Sequence, residues 1–121
     1  MLDDLLGCTL VMREKGSGSR RILEDALFSR GLSTERFART VELGSIGATK
    51  RLVERGLGIA FLYRACVAEE ERMGRLAVID LADFHVMHPV MFVYRRSSLF
   101  DDELRSLCAA LCGEAGTSHD V

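Results

Sequence analysis

Residues 9–28 read TLVMREKGSGSRRILEDALF, and the architecture follows from this stretch. Thr9 to Arg13 is short and apolar and runs into Glu-Lys-Gly-Ser-Gly, the pattern of a buried strand that ends in a loop. A helix is expected to start at Ser19. Ile22, Leu23, Ala26 and Leu27 share its apolar face, while Arg20, Arg21, Glu24 and Asp25 are placed outward. Gly31 closes it as a C-cap.

Further along, Val41 and Leu43 alternate with Thr40 and Glu42, so Phe37 to Leu43 reads as a strand, after which Gly44 and Ser45 supply a helix start. Ile46, Thr49 and Val53, with Leu52 beside them, form that helix's inward face up to Gly56. The run GIAFLY (58–63) is continuous and apolar, as in a strand buried on both faces. A third helix is expected from Arg64 to Met73, ending at Gly74. LAVIDL (76–81) reads as another strand, and Val90 to Arg95 as the last, opened by Pro89. Leu104, Leu107, Cys108, Leu111 and Cys112 then share one face of a helix from about Leu99. Asp101, Asp102 and Glu103 lie near its positive N-terminus. Strands alternating with helices predict an α/β fold with a mainly parallel sheet flanked by helices and right-handed crossovers.

With 121 residues, 48% hydrophobic, 28% charged and a single proline, the chain fits one folded unit. Its net charge of −2 offers no general attraction to phosphate backbones, so DNA binding is not expected of this chain alone. Apolar runs such as 58–63 and 90–94 fall far short of the roughly 20 residues that span a bilayer. The opening MLDDLLGC carries acids where a secretory signal carries bases, so a cytoplasmic location without membrane contact is expected. Cys8, Cys66, Cys108 and Cys112 contain no CxxC pair and read as reduced thiols serving as small hydrophobes.

In parallel α/β sheets ligands bind beyond the carboxyl ends of the strands, where loops meet helix N-termini. The loops at Glu14 to Ser19 and Leu43 to Ile46 qualify. Gly16, Ser17, Gly18 and Ser19 offer amides and hydroxyls to a carboxylate or phosphate, although a tight turn with Ser17 or Ser19 as N-cap accounts for them equally well. The loop is neither GxxxxGK[ST] nor GxGxxG. Leu43, Gly44 and Ser45 repeat the geometry, with a plain N-cap at Ser45 as the competing reading. Gly56 and Gly58 read as a helix cap plus close packing. His85 and His88 stand three apart in a loop without accompanying cysteines or carboxylates, so no metal site is expected. Glu69, Glu70 and Glu71 read as a solvated face. No GxSxG elbow or Cys-His arrangement occurs, hence no catalytic residue, enzyme activity or cofactor is assigned.

Taken together, LVMREKGSGSRRILEDAL, RTVELGSIGATKRLVERGLGIAFLYRACV, GRLAVIDL and HPVMFVYRRSS resemble the effector-binding domain of LysR-type transcriptional regulators. The resemblance covers roughly Leu2 to Leu111. It implies a type 2 periplasmic-binding-protein-like fold of two lobes around a small ligand, with residues 1–112 as the second lobe, its return crossover strand and its terminal helix; GEAGTSHDV (113–121), small, polar and without period, reads as a flexible tail. The resemblance further implies effector contacts at Gly16, Ser17, Gly18, Ser19, Leu43, Gly44 and Ser45, a small anionic metabolite as effector, and a homodimer. DNA contact would fall to a winged helix-turn-helix that, like the first lobe, has no counterpart in this sequence. A lobe of a solute-binding protein, or a self-associating fragment without ligand, remains the alternative.

Overall fold

Thr9–Arg13 forms strand β1, buried along Leu10, Val11 and Met12, at the centre of a three-stranded parallel sheet. These features belong to a computed structural model that describes residues 1–89, 93, 95 and 99–114. The chain divides into two units, Met1–Val86 and Met87–Asp120. In the first, β2 (Arg39–Leu43) pairs with β1 from Thr9 opposite Arg39 to Arg13 opposite Leu43. β3 (Ile59–Ala60) lies on the other side, with Leu10 opposite Ile59. The α/β class expected from the alternation is thus the one observed.

Helix α1 (Gly18–Phe28) connects β1 to β2, and α2 (Ile46–Glu54) connects β2 to β3. Successive strand residues point to opposite faces. Leu10 and Met12 therefore share one face of β1, where they form the core with Leu2, Leu23, Leu27 and Phe37. Val11 points the other way and is fully buried. The second crossover reverses the direction of the first to give the order β2-β1-β3, which places α1 and α2 on opposite faces when both connections are right-handed. This is why the sequence of β1 is apolar without alternation. Leu27 alone, buried completely, contributes about 1.5–3 kcal/mol relative to exposure.

Gly56 and Gly58 behave as read. Gly56 takes φ 77° directly after the α2 cap at Arg55. A Cβ on Gly58 would lie 2.0 Å from the carbonyl oxygen of Thr9, so only glycine lets the chain enter β3 against the start of β1. Helix α1 begins one residue earlier than expected, and Gly31 takes φ 70° two residues beyond its cap at Ser29. Cys8 and Cys66 are half-buried thiols without a disulfide.

Several expectations need correction. Arg20, placed on the outer face by helical periodicity, is buried at 8% exposure because it finds charged partners beneath α1. GIAFLY contributes only Ile59 and Ala60 to the sheet, and β3 lies at the edge of the sheet formed by the described residues, with all six residues of the run half-buried. The helix read from Arg64 to Met73 is a 3-10 turn at Arg64–Cys66 followed by α3 (Ala68–Arg72), with Gly74 at φ 69° ending it. LAVIDL forms no strand.

The last segment is fastened by side chains instead of a ladder. Leu81 and Phe84 pack on the core. The Asp83 carboxylate accepts the Leu2 N–H at 3.0 and 3.1 Å. Arg30 donates to the Asp83 carbonyl from Nε and Nη2, at 3.2 and 3.0 Å, and lies over the Phe84 ring at 4.9 Å. Phe61 meets the same ring edge-on at 6.0 Å.

In the second unit, α4 (Asp101–Glu114) starts with the three acids expected there, and Arg105 Nε donates to Asp101 Oδ2 at 2.8 Å. It runs two residues past the expected boundary at Cys112. Apart from Val93 and Arg95, the strand read at Val90 to Arg95 lies outside the described residues, as do residues 115–121 of the expected tail. Among the described residues no helix is long and apolar enough to cross a membrane.

Candidate functional site

Because Arg13 pairs with Leu43 at the ends of two parallel strands, Glu14 and Gly44 leave the sheet side by side. A Cβ on Gly44 would lie 4.0 Å from Glu14 Oε2. The first loop then turns tightly. Ser17 N–H donates to the Glu14 carbonyl at 3.1 Å, and Gly16 takes φ 93°, a conformation that glycine adopts without strain. Ser17 stands at the N-cap of α1 with φ −68° and ψ 133°, yet its hydroxyl caps no helix amide. Ser17 Oγ instead lies 3.1 Å from Ser19 Oγ. Gly16 and Gly18 are exposed, with open space where a Cβ would stand, so the backbone here is open to approach.

The second loop is built on the same plan with a different result. Ser45, at φ −128° and ψ 124°, accepts the Ala48 N–H on its hydroxyl at 3.3 Å. Its carbonyl accepts both the Thr49 N–H and the Thr49 hydroxyl, each at 3.0 Å, and Thr49 is completely buried. Leu43 is half-buried, while Gly44 and Ser45 are exposed. All seven residues singled out from the sequence, Gly16 to Ser19 and Leu43 to Ser45, thus stand at the carboxyl edge of the sheet. Two helix N-termini start there, each with backbone N–H groups that lack partners within the helix.

Five charged side chains that the sequence reading did not single out as site residues frame these loops. Arg13 grips Glu14 with two hydrogen bonds, Nε to Oε2 at 2.9 Å and Nη2 to Oε1 at 3.0 Å. This grip holds the Glu14 carboxyl below the usual carboxylate range. Arg20 donates from Nη1 to the Arg13 carbonyl at 3.2 Å and to Glu42 Oε2 at 2.5 Å, and from Nε to Glu24 Oε1 at 2.7 Å. Glu24 and then Glu42 push the basicity of Arg20 further up. Of these contacts only the Arg20 and Glu24 pair, four residues apart, carried a local signal in the sequence.

Farther along α2, Lys50 Nζ donates to Glu70 Oε1 at 2.6 Å and to the Cys66 carbonyl at 3.0 Å. Glu70, expected on a solvated face, is therefore buried, and the Lys50 ammonium holds its carboxyl below the ordinary range. Its second oxygen, Oε2, is buried without a hydrogen-bond partner among the described residues. This pair ties α3 to α2, the helix that starts at Ser45.

Comparison with known families matches the sequence to the LysR substrate binding domain over residues 1–114. The HTH-type transcriptional regulator CbbR of Rhodospirillum rubrum is 30% identical over 114 residues, covering 94% of this chain and 37% of the regulator. A probable RuBisCO transcriptional regulator of Guillardia theta is 29% identical over 112 residues, covering 87% of this chain and 36% of that protein. The phosphonates import ATP-binding protein PhnC of Anaeromyxobacter dehalogenans (strain 2CP-C) is 33% identical over 87 residues, 72% of this chain but 18% of that protein. The chain spans well under half the length of these curated relatives.

Proposed function

The chain belongs to the LysR substrate binding domain family, and from that premise we propose that it senses a small anionic metabolite at the paired loops Gly16 to Ser19 and Leu43 to Ser45. The observation that carries this reading is the side-by-side exit of β1 and β2 into two serine-started helices. Amides and hydroxyls at such N-termini suit a carboxylate or phosphate.

In this reading the chain is the second lobe of an effector-binding domain, acting in the cytoplasm as part of a homodimer. It binds and releases its ligand without chemistry. DNA contact belongs to the winged helix-turn-helix of the whole regulator. Ligand would act by favouring one arrangement of the protein over another. Relatives named as transcriptional regulators support this over transport of a solute.

A thermal-shift screen of the purified chain against small carboxylates and phosphorylated metabolites tests the site. A ligand at about 100 times its dissociation constant stabilises by about 2.7 kcal/mol. That rise, lost in the Ser17→Ala/Ser45→Ala double variant, is the expected result. A folded chain that no anion stabilises would overturn the proposal.

A further inference from the structure

We propose that Arg20 is a positioning residue: its buried guanidinium fixes the β1–α1 loop and the β2–α2 loop at one separation, so that an anion meets both together. The inference rests on the site proposed above. It adds the residue that makes two loops into one site.

The geometry is specific. Arg20 is the third residue of α1 and is buried, at 8% exposure. Its Nη1 reaches the Arg13 carbonyl, immediately before Glu14 begins the first loop. The same nitrogen reaches Glu42, one residue before the end of β2 at Leu43, where the second loop leaves the sheet. Nε, held by Glu24, fixes the plane of the fork. One side chain therefore bonds to the root of each loop and to the helix between them.

Burying a guanidinium is costly unless each direction of its fork finds an acceptor. A helix that needed only an inward packing residue at this position would be served by leucine. A rigid planar donor that reaches several acceptors in fixed directions is what arginine supplies and lysine does not. The neighbouring Arg21 shows the contrast, since it is exposed and, among the described residues, pairs only with Asp25, four residues on, at 3.7 Å.

The test is an amide NMR titration of the full chain with inorganic phosphate, following residues 16–19 and 44–47. In the unmodified chain both sets are expected to move with one common dissociation constant. In Arg20→Lys, and in Glu42→Gln where an exposed side chain is altered and the fold is spared, the two sets should separate into different constants. Each should be weaker by about fivefold or more, the scale of ordinary coupling between sites. Arg21→Lys should titrate like the unmodified chain. A role confined to stability would lower the melting temperature and leave a single constant.

Retention of one unchanged constant in both Arg20→Lys and Glu42→Gln would overturn the positioning role while leaving the site intact. Separate constants in the unmodified chain would do the same. Absence of any phosphate response in either loop of the unmodified chain would overturn the site and, with it, the role of Arg20. Should Arg20→Lys fail to fold, Glu42→Gln decides alone.

Discussion

The β1–α1 and β2–α2 loops are written in the same grammar, strand then glycine and serine then helix, yet they spend their serines differently. Ser45 gives its hydroxyl to the helix it starts, accepting from Ala48 N–H. Ser17 occupies the same position before α1 and leaves the helix amides alone, its hydroxyl meeting Ser19 instead. The backbone differs in the same sense. Gly16 requires a positive φ, whereas Gly44 does not. The second loop is therefore internally satisfied, and the first holds polar groups whose partners are mostly each other.

The largest expected effect separates the strands under the two loops. Gly58→Ala drives a Cβ into the Thr9 carbonyl and should cost about 3 kcal/mol or more in urea unfolding. Because β3 pairs only with β1 among the described residues, amide shifts should be larger at residues 14–19 than at 44–47. Equal shifts in both loops would show that the sheet transmits the strain evenly, and the contrast would weaken.

Next, Gly16→Ala should destabilise by about 1–2 kcal/mol because a side chain is strained at its φ, whereas Gly44→Ala should stay within about 0.5 kcal/mol. Smaller again is the serine pair. Ser45→Ala should cost about 1 kcal/mol, and Ser17→Ala less than about 0.5 kcal/mol, by melting temperature at fixed buffer. A Ser17 variant as unstable as the Ser45 variant would mean that the first hydroxyl caps its helix in solution.

The smallest effect is read against pH. Glu14 and Glu70 both have carboxyl groups held below their unfolded range, Glu14 by Arg13 and Glu70 by Lys50. Each then contributes stability in full above the unfolded value of about 4.3, and that contribution fades as pH falls through the depressed folded value. Stability should decline on acidification, and Glu70→Gln should flatten that decline more than Glu14→Gln. The reason is that Glu70 is buried while the Glu14 side chain stands 41% exposed. The opposite order, in denaturant midpoints from pH 6 to pH 3, would place the stronger anchor under the first loop.

Local pattern made much of this legible. The apolar run at Thr9–Arg13, the period of Leu23 and Leu27, and the serine starts at Ser17 or Ser19 and at Ser45 are all short-range features, and they mark β1, α1, α2 and the loops. Long-range contacts were not legible. Arg20 looks like a surface residue until Glu42, 22 positions away, is folded beside it. Glu70 looks like one member of a solvated acidic run until Lys50 reaches it. LAVIDL has the composition of a strand, but Leu81 and Phe84 bury themselves on the core and Asp83 and Arg30 fasten the backbone without a ladder. Composition gives a segment's wish for burial and not the partner that satisfies it.

The hydrogen bonds from Leu2 to Asp83 join residues 81 apart, and they bear on the order in which the molecule can assemble. Contacts of such separation are slow to form because the loop between them must first be closed. A nascent chain would already hold β1, α1, β2 and α2 while the acceptor for Leu2 was still being synthesised. The segment around Leu2 is thus among the last parts to be secured, and refolding followed at Leu2 should lag behind refolding followed at Val11.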